Sequence, residues 1–360
     1  MSDYKHILIT GGAGFVGSNL AVSWARDTNA RITCLDNLHR RGSELSLSRL
    51  NKEGVKFVHG DIRNPSDIDN IGSFDLLLDC SAEPSVHEGY HSNPNYLIDT
   101  NLVGTINCLE AARRYQSDVI YLSTSRVYPI EKLRQLPLEL SSDRLIVSPN
   151  ANGTGWSEAG ISIDFSTSGA RSIYGATKLC SELLIEEYRS MYGLRCIVNR
   201  CGVLCGPWQM GKVDQGFMSL WVSRHFFNKT GLSYMGFEGK GHQVRDVLHI
   251  QDLYDLIRIQ TTQFESLDTF IFNVGGGAKH SVSLKELTLL CQQISGHKID
   301  ITSDTNTRDA DIPWYITDNS LVEKITGWHA TRNVNQIVED IYRWIEENSS
   351  DLSDLLLERN

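Results

Sequence analysis

Short apolar runs alternate with segments of helical length through the first 200 residues of this 360-residue chain. Helical segments are expected near 15–26, 93–115 and 174–192. This alternation predicts an α/β fold with a doubly wound parallel sheet of the Rossmann type, because parallel strands need helical crossovers. The predicted strands are HILIT (6–10), RITCLD (31–36), VKFVHGD (55–61), FDLLLDCSA (74–82), DVIYLST (118–124) and LRCIVNR (194–200).

The rhythm changes after Arg200, and this change predicts a second, smaller domain. Residues 1–200 should form the sheet domain, to which 245–275 returns with the helix RDVLHIQDLYDLIRI and the strand TFIFNVGGG. Within 1–200, the long segment 129–171 has no strand or helix pattern, a length that suggests a function. A C-terminal lobe is predicted for 201–244 and 276–348. Its first part should be built from loops, and the helix NVNQIVEDIYRWIEE should end it. Residues 349–360 are predicted to be an acidic tail.

Composition excludes several classes of protein. A formal net charge of −10 argues against non-specific binding of nucleic acid. The first residues, MSDYKHILIT, lack a secretory signal, and no run approaches the roughly 18 apolar residues of a membrane span. The eight cysteines lack paired spacing and the histidines lack metal-ligand spacing. We therefore expect a reduced, cytoplasmic protein without a metal, nucleic-acid or membrane partner.

A glycine motif, ILITGGAGFVGSNL, follows the first predicted strand directly. Gly11, Gly14 and Gly17 allow a tight turn and let a pyrophosphate approach the backbone at the start of a helix. Asp36 ends the second strand, where a carboxylate accepts hydrogen bonds from the adenosine ribose and repels a 2′-phosphate. The pattern predicts a dinucleotide site that prefers NAD, although the arginine pair four residues later could accept the 2′-phosphate of NADP.

The stretch SIYGATK places Tyr174 four residues before Lys178 on one face of a predicted helix. Alone, this spacing is that of an ordinary helix-face pair. Beside a dinucleotide site, the phenol can exchange a proton with a substrate hydroxyl while the lysine ammonium lowers the pKa of the phenol. Thr124, at the end of the fifth strand, supplies the hydroxyl that such chemistry needs as a third partner. We predict these three residues as the catalytic set.

Together these motifs resemble the extended short-chain dehydrogenase/reductase (NAD-dependent epimerase/dehydratase) family along most of the chain. The matching stretches are the glycine motif, GDIRN (60–64), NLVGT (101–105), STSRVY (123–128), YGATK and RDVLH (245–249). The resemblance implies NAD as cofactor, the same catalytic set, and a helix bend at Asn101. With the glycine motif, it assigns cofactor contacts to Gly11, Gly14, Phe15, Val16, Gly17, Asp36, Asn37, His39, Arg40, Asp61, Ile62, Ser81, Ala82, Asn101, Ser123, Tyr174, Lys178 and Cys201.

The residues that follow the fifth strand favour epimerisation over dehydration. In 4,6-dehydratases of the family this stretch resembles T-D-E-V-Y, whose Asp and Glu serve as acid and base. Ser125 and Arg126 stand at those places and cannot replace the carboxylates. The stretches DNLHRRG, FVHGDIRN, STSRVY, DQG (214–216) and GKGHQVRDVLH (239–249) resemble the CDP-paratose (CDP-tyvelose) 2-epimerase branch. That resemblance implies transient oxidation of a sugar carbinol to a ketone and return of the hydride to the opposite face.

Two other functions are considered. A 4-epimerase or another nucleotide-sugar oxidoreductase of the family is the nearer alternative. A non-catalytic dinucleotide sensor is disfavoured, because sensors commonly lose the tyrosine or lysine that this chain keeps. For either enzyme, and for the favoured CDP-deoxyhexose, the expected substrate contacts are Glu83, Ser85, Thr124, Arg126, Gln209, Gln243, Arg245 and Arg308.

Some of these contacts have structural alternatives. Arg308 could pair with Asp309 or Asp311, Arg126 could face solvent, and Glu83 and Ser85 could serve only their loop.

The resemblance also implies a homodimer, formed by the helices that begin near Asn93 and Tyr174. Its candidate contacts, for which burial against the sheet is the alternative, are Ile106, Leu109, Leu183, Leu184 and Met191.

Overall fold

The computed structural model describes residues 4–90, 92–211, 215–267 and 269–357. Asp214 of the DQG stretch and residues 358–360 of the predicted tail lie outside this part of the chain. The chain folds into two compact units. The first unit is Met1–Val127, Ser172–Arg200 and Leu253–Phe272, and the second is Tyr128–Arg171, Cys201–Asp252 and Asn273–Asn360.

Strands and helices are numbered in chain order. The strands are β1 (His6–Thr10), β2 (Arg31–Asp36), β3 (Lys56–His59), β4 (Leu76–Asp79), β5 (Asp118–Thr124), β6 (Leu138–Ser141), β7 (Arg144–Val147), β8 (Trp156–Ser157), β9 (Gly160–Ile161), β10 (Cys196–Cys201), β11 (Val203–Cys205), β12 (Leu232–Met235), β13 (Val244–His249), β14 (Ile271–Val274), β15 (Ser281–Ser283), β16 (Ile301–Asp304) and β17 (Trp314–Tyr315). The helices are α1 (Phe15–Asp27), α2 (Ser46–Lys52), α3 (Pro65–Asp69), α4 (Asn95–Ile98), α5 (Gly104–Tyr115), α6 (Ile130–Arg134), α7 (Ile173–Tyr192), α8 (Phe217–Phe226), α9 (Ile250–Gln263), α10 (Leu284–Ser295), α11 (Ser320–Thr326), α12 (Val334–Glu347) and α13 (Ser349–Leu357).

The first unit is built on a seven-stranded parallel sheet of order β14-β10-β5-β4-β1-β2-β3. The order runs outward from β1 in both directions, through β2 and β3 on one side and through β4 and β5 on the other. The predicted doubly wound α/β fold is therefore confirmed. In such sheets the chain reverses its winding direction between the first and fourth strands, and the loops that follow these strands leave a crevice for a ligand.

Apolar side chains from the sheet and two helices hold this unit together. Leu8, Leu77 and Val119, from three neighbouring strands, pack with Cys108 of α5 and Ile185 of α7, and all are almost fully buried. Burying one such aliphatic side chain contributes about 1.5–3 kcal/mol. This packing fixes α7 against the sheet and so places its first turn beside the carboxyl end of β5.

The second unit contains a four-stranded sheet in which β13 pairs with β11, β15 and β17. Smaller two-stranded ladders join β12 to β16, β6 to β7, and β8 to β9. The predicted C-terminal helix is present as α12, and its buried face is formed by Ile337, Val338, Ile341, Trp344 and Ile345. These five buried positions recur at helical spacing, as the sequence pattern indicated.

The structure differs from the sequence prediction at three places in this unit. RDVLH is the strand β13 instead of the start of a helix, because Val244, Val247 and Leu248 are all buried as in a central strand. Segment 129–171 contains α6 and two small hairpins and lies in the second unit. The loop-built stretch 201–244 includes α8, whose residues are mostly buried.

The acidic tail also has a structure that its composition did not predict. Residues Ser349–Leu357 form α13, in which Leu352 and Leu356 are buried one helical turn apart. The acidic residues Asp351 and Asp354 are exposed on the other side. None of the helices among the described residues is both long enough and apolar enough to cross a membrane.

Candidate active site

The glycine motif forms the turn between β1 and α1. Gly11 has a φ of 62°, in the left-handed region, and Gly14 precedes the first residue of α1. The turn is packed tightly, because a Cβ on Gly17 would lie 2.3 Å from the Gly11 carbonyl oxygen. Gly14 is less crowded, since the nearest atom to its Cβ would be 3.2 Å away. The backbone N–H groups at the start of α1, from Phe15 onward, can donate hydrogen bonds to a phosphate group.

Asp36 lies against this turn at the end of β2. Its Oδ2 accepts a hydrogen bond from the Ala13 N–H (3.1 Å), and its Oδ1 accepts one from the Leu38 N–H (2.8 Å). Burial raises the pKa of Asp36, and these backbone hydrogen bonds oppose the rise. The carboxylate is thus fixed beside the phosphate cradle, where it can bind ribose hydroxyls. The cradle and the carboxylate together fit an NAD molecule.

A second polar group surrounds Asp61 after β3. Asn37 donates to its Oδ2 (2.9 Å), and Arg63 donates to both oxygens through Nε (2.9 Å) and Nη2 (2.6 Å). Burial raises the pKa of Asp61, but these hydrogen bonds outweigh it and lower the pKa to about 2. The Tyr96 ring lies 4.3 Å from the His39 ring and 4.5 Å from the Arg63 guanidinium carbon.

The cofactor contact assigned to Asp61, after the third strand, would be with the adenine amino group, and this arrangement modifies it. Each of its oxygens already accepts two hydrogen bonds, because the Arg63 N–H also donates to Oδ1 (2.9 Å). An adenine amino group would therefore displace one of these donors. Sequence reasoning missed Tyr96, since no motif links a residue of α4 to the ends of β2 and β3.

The segment after β4 is held by Asn101. Its Oδ1 accepts a hydrogen bond from the Glu83 N–H (2.8 Å), and its Nδ2 donates to the Glu83 carbonyl (3.1 Å). Asn101 is fully buried within the π-helical turn Asp99–Val103, which joins α4 to α5. The Glu83 carboxylate accepts from the Ser85 N–H (3.3 Å), so both residues take part in their own loop. Burial lowers the pKa of Arg40, and the charge of Glu83 opposes this shift.

Thr124 and Tyr174 lie where β5 ends and α7 begins. The Thr124 Oγ1 accepts a hydrogen bond from the Arg126 N–H (3.2 Å), within the short turn Ser125–Val127. Ser172 caps α7 by accepting from the Gly175 N–H (3.2 Å), which fixes the start of the helix beside Tyr174. Thr124 and Tyr174 are 8% and 9% exposed, so both side chains are almost completely buried.

Lys178 lies one turn further along α7, in a buried polar layer. It is 2% exposed, its Nζ donates to the Leu122 carbonyl (2.8 Å), and its ammonium lies 4.3 Å from the centre of the Tyr121 ring. Below it, Glu182 and Arg200 form a buried ion pair with a shortest distance of 2.7 Å. An ammonium one helical turn from a phenol favours the phenolate, so this geometry suits Tyr174 to proton transfer.

The other predicted cofactor residues lie at or after the ends of strands of the same sheet. Ser123 donates to the Glu182 carboxylate, and Cys201 ends β10 as a buried thiol. Phe15 and Val16 begin α1, Ile62 follows β3, and Ser81 and Ala82 follow β4.

In the second unit, Arg245 and Arg308 are both tied to one segment. Arg245 donates to the carbonyls of Val244 (2.7 Å) and Ile312 (2.6 Å). Arg308 donates to both carboxylate oxygens of Asp311 (3.0 and 3.1 Å), as one of the sequence alternatives anticipated. Two guanidinium groups are thus ordered around residues 308–312.

The two glutamines in this unit have different surroundings. Gln243 donates to the Met235 carbonyl (3.0 Å), and its Oε1 is buried without a hydrogen-bond partner among the described residues. Gln209 donates to the Leu204 carbonyl (2.9 Å) and accepts from the Ser219 hydroxyl (3.3 Å). These bonds tie Gln209 to β11 and α8.

The segment 129–171 also contacts that arginine-bearing stretch. Arg134, the last residue of α6, donates to the carbonyls of Arg308 (2.9 Å), Asp309 (3.0 Å) and Asp311 (2.9 Å). Sequence reasoning missed Arg134, because its partners lie more than 170 residues further along the chain.

Comparisons with known proteins identify the family to which this chain belongs. The model of the NAD dependent epimerase/dehydratase family matches residues 7–275. The CDP-paratose 2-epimerase of Salmonella typhi is 30% identical over 349 residues, covering 94% of this chain and 98% of that protein. A UDP-glucose 4-epimerase from Thermotoga maritima, solved with UDP-glucose, has a TM-score of 0.76 at 21% identity and covers 96% of this chain and 99% of its own. A dTDP-glucose 4,6-dehydratase from Bacillus anthracis, solved with NAD, has a TM-score of 0.75 at 21% identity, covering 97% and 99%. The chain therefore belongs to the NAD dependent epimerase/dehydratase family and is an enzyme that uses NAD.

Proposed function

We propose that this enzyme is a nucleotide-sugar 2-epimerase that interconverts CDP-paratose and CDP-tyvelose or a closely related pair. The observation that carries the proposal is the end of β5, where Thr124 is kept while Ser125 and Arg126 occupy the places of the dehydratase carboxylates. Tyr174 and Lys178 complete the acid/base set on α7. The 30% identity to a CDP-paratose 2-epimerase along almost the whole chain supports the choice of sugar.

The residues of the chain supply proton transfer and orientation. When bound, NAD supplies a hydride acceptor that can also return the hydride. Tyr174 takes the proton of the sugar hydroxyl as the carbinol is oxidised and gives it back to the same oxygen when the ketone is reduced. Thr124 donates a hydrogen bond to that oxygen, and Lys178 stabilises the phenolate. The sugar turns between the two steps, so that its other face receives the hydride.

Substrate contacts are proposed in both units. Arg245 and Arg308 bind the diphosphate as charged guanidinium groups, and their hydrogen bonds to Ile312 and Asp311 hold them in place for it. Gln209 and Gln243 are assigned weaker polar contacts. Around the sugar we place Glu83, Ser85 and Arg126, which follow the carboxyl ends of β4 and β5.

We also propose that the enzyme is a homodimer through α5 and α7. Val103, directly before α5, is 40% exposed, and Leu183, Met191 and Tyr192 of α7 are 57%, 67% and 50% exposed, so these helices present apolar surface that a second copy could bury. Leu109 is 1% exposed and instead belongs to the core of its own unit. The cysteines of the described residues form no disulfide, which supports the reducing cytoplasm as the proposed compartment.

A deuterium experiment tests the reaction. CDP-paratose or CDP-tyvelose deuterated at C2 should be interconverted with the deuterium retained at C2 and with no net consumption of NAD. Loss of deuterium to solvent would contradict hydride transfer at C2 and indicate proton abstraction beside a carbonyl. Turnover of a UDP- or GDP-sugar instead of a CDP-sugar would support the alternative, a 4-epimerase or another oxidoreductase of the family.

Tyr174→Phe is the matched variant for this assay. It should fold, retain NAD and lose activity by a factor of about 100 or more, because a general acid/base contributes in that range. Release of NAD from the denatured variant, measured against the wild-type protein, controls for loss of the cofactor. Full activity in Tyr174→Phe would exclude the tyrosine as the acid/base.

A further inference from the structure

Asp79 is a buried carboxylate that the proposed chemistry does not use. It ends β4 and is 1% exposed. Its Oδ1 accepts hydrogen bonds from the Thr10 hydroxyl (2.8 Å) and the Ser81 N–H (3.2 Å), and its Oδ2 lies 3.4 Å from the Thr105 hydroxyl oxygen. An ionised carboxylate is costly in such surroundings unless a cation lies near it. The position of Asp79 therefore calls for a charged neighbour.

The register of the sheet identifies Lys178 as that neighbour. Thr10, Asp79 and Tyr121 are paired positions on three adjacent strands, and such positions place their side chains on one face of a sheet. The Lys178 ammonium lies 4.3 Å from the centre of the Tyr121 ring, so it covers that same face. Burial raises the pKa of Asp79, and the charge of Lys178 is the largest opposing effect.

The other titratable groups of this layer leave the role of counter-charge to Asp79. The Glu182 carboxylate is committed to Arg200, which donates to both of its oxygens. Burial raises the pKa of the Tyr121 phenol and of the Cys108 thiol far above their ordinary values, so both stay neutral. The titratable groups of this layer are Asp79 on β4, Tyr121 on β5, Cys108 on α5, Tyr174 and Glu182 on α7, and Arg200 on β10, and the Tyr121 ring is in contact with the Lys178 ammonium.

We propose that Asp79 is a positioning residue whose carboxylate supplies the counter-charge that keeps Lys178 in its charged form beside Tyr174. The inference rests on the proposed function of Tyr174 and Lys178. A buried ammonium without a counter-charge tends to lose its proton, and a neutral amine would no longer favour the phenolate of Tyr174. Asp79 thus acts through Lys178 and needs no contact with the substrate.

Asp79→Asn removes the charge while it keeps the hydrogen bonds. The amide oxygen can accept from Thr10 and Ser81 as the carboxylate does. The amide N–H can donate to the Thr105 hydroxyl oxygen, because the hydrogen of that hydroxyl is directed to the Asn101 carbonyl (2.9 Å). The variant therefore tests the charge and not the shape of the side chain.

The first measurement is an NMR titration of protein that carries carbon-13 at the lysine Cε positions. The Lys178 signal is assigned by its absence from Lys178→Met. In Asp79→Asn the titration midpoint of Lys178 should fall by about one pH unit, the order of magnitude expected when one buried charge near an ammonium is removed. Asp69→Asn is the control, because Asp69 is an exposed carboxylate on α3 and its loss should leave the midpoint unchanged.

The second measurement is the reciprocal one and needs no substitution at Asp79. In Lys178→Met, the midpoint of the Asp79 carboxyl group, followed with carbon-13-labelled aspartate, should rise by about the same amount, because one interaction free energy is shared by the pair. Unchanged midpoints in both titrations would overturn the proposal. Neither titration uses a nucleotide sugar, so absence of epimerase activity would count against the proposed function and leave these results standing.

Discussion

Gly17→Ala is expected to weaken both the fold and the binding of NAD. A Cβ at this position would lie 2.3 Å from the Gly11 carbonyl oxygen, 2.8 Å from the Gly11 carbonyl carbon and 2.9 Å from the Gly12 Cα. All three atoms belong to the backbone, so the turn itself has to move. Overpacking of this kind costs about 1–3 kcal/mol of the free energy of unfolding, and we expect the upper part of that range.

The displaced turn should also lower the affinity for NAD by at least tenfold, or about 1.4 kcal/mol. Gly14→Ala is the matched control, because the nearest atom to its Cβ would be 3.2 Å away and its φ of −70° and ψ of 175° suit alanine. We expect it to keep its stability within about 0.5 kcal/mol and to bind NAD more weakly, since a methyl group directly before α1 would crowd a phosphate that approaches the helix N-terminus.

The assay is urea unfolding of each protein freed of NAD, followed by a calorimetric titration with NAD. Gly17→Ala with the stability and affinity of the wild-type protein would refute the close packing of the turn. If Gly14→Ala bound NAD as tightly as the wild type, the pyrophosphate would have to lie elsewhere.

Three further predictions concern charge and assembly. Asp61 has its pKa lowered to about 2, so its contribution to stability is complete above its unfolded value and is lost as the pH falls through about 2. The free energy of unfolding of Asp61→Asn in urea should therefore be about 2 kcal/mol lower than that of the wild type at pH 7. If this difference did not become smaller toward acid pH, the prediction would be contradicted. The wild-type enzyme should bind NAD at least tenfold more tightly than NADP, a difference of about 1.4 kcal/mol. In binding titrations, Asp36→Ser should reduce that ratio. Equal binding of NAD and NADP by the wild type would assign the ribose site to Arg40 and its neighbour. Leu183→Glu should yield monomers by light scattering, whereas Leu140→Glu, at a 56% exposed position of the second unit, should not; a wild-type monomer at micromolar concentration would contradict the proposed interface.

The sequence predicted best those parts of the fold that are set by local pattern. Strands β1, β2 and β5 have the predicted bounds, because each is a buried apolar run ended by a polar residue or turn. The first helix begins at Phe15, directly after the glycines, as the cradle requires. These features need only a few neighbouring residues, and the chemistry of glycine and of buried aliphatic side chains decides them.

Features that depend on distant partners were not predictable from local pattern. The RDVLH stretch is a strand because β11, β15 and β17 pair with it, and apolar periodicity alone fits a helix equally well. Arg134 and Asp79 carried no motif, and their surroundings became visible only with the carbonyls and the lysine that face them. The pairing of Arg308 with Asp311 was one of several possibilities that spacing could not separate.

The hydrogen bonds of segment 129–171 have a consequence for the growing chain. Ile161 accepts a hydrogen bond from Asn273, 112 residues later, and Arg134 reaches Asp311, 177 residues later. At about 5–20 residues per second, a ribosome needs on the order of ten to thirty seconds to supply the partner of Arg134. During that interval the first five strands of the sheet can already pair, whereas α6 and the hairpins β6–β7 and β8–β9 still lack their final contacts. A chaperone that protects the nascent chain would find its target in this segment.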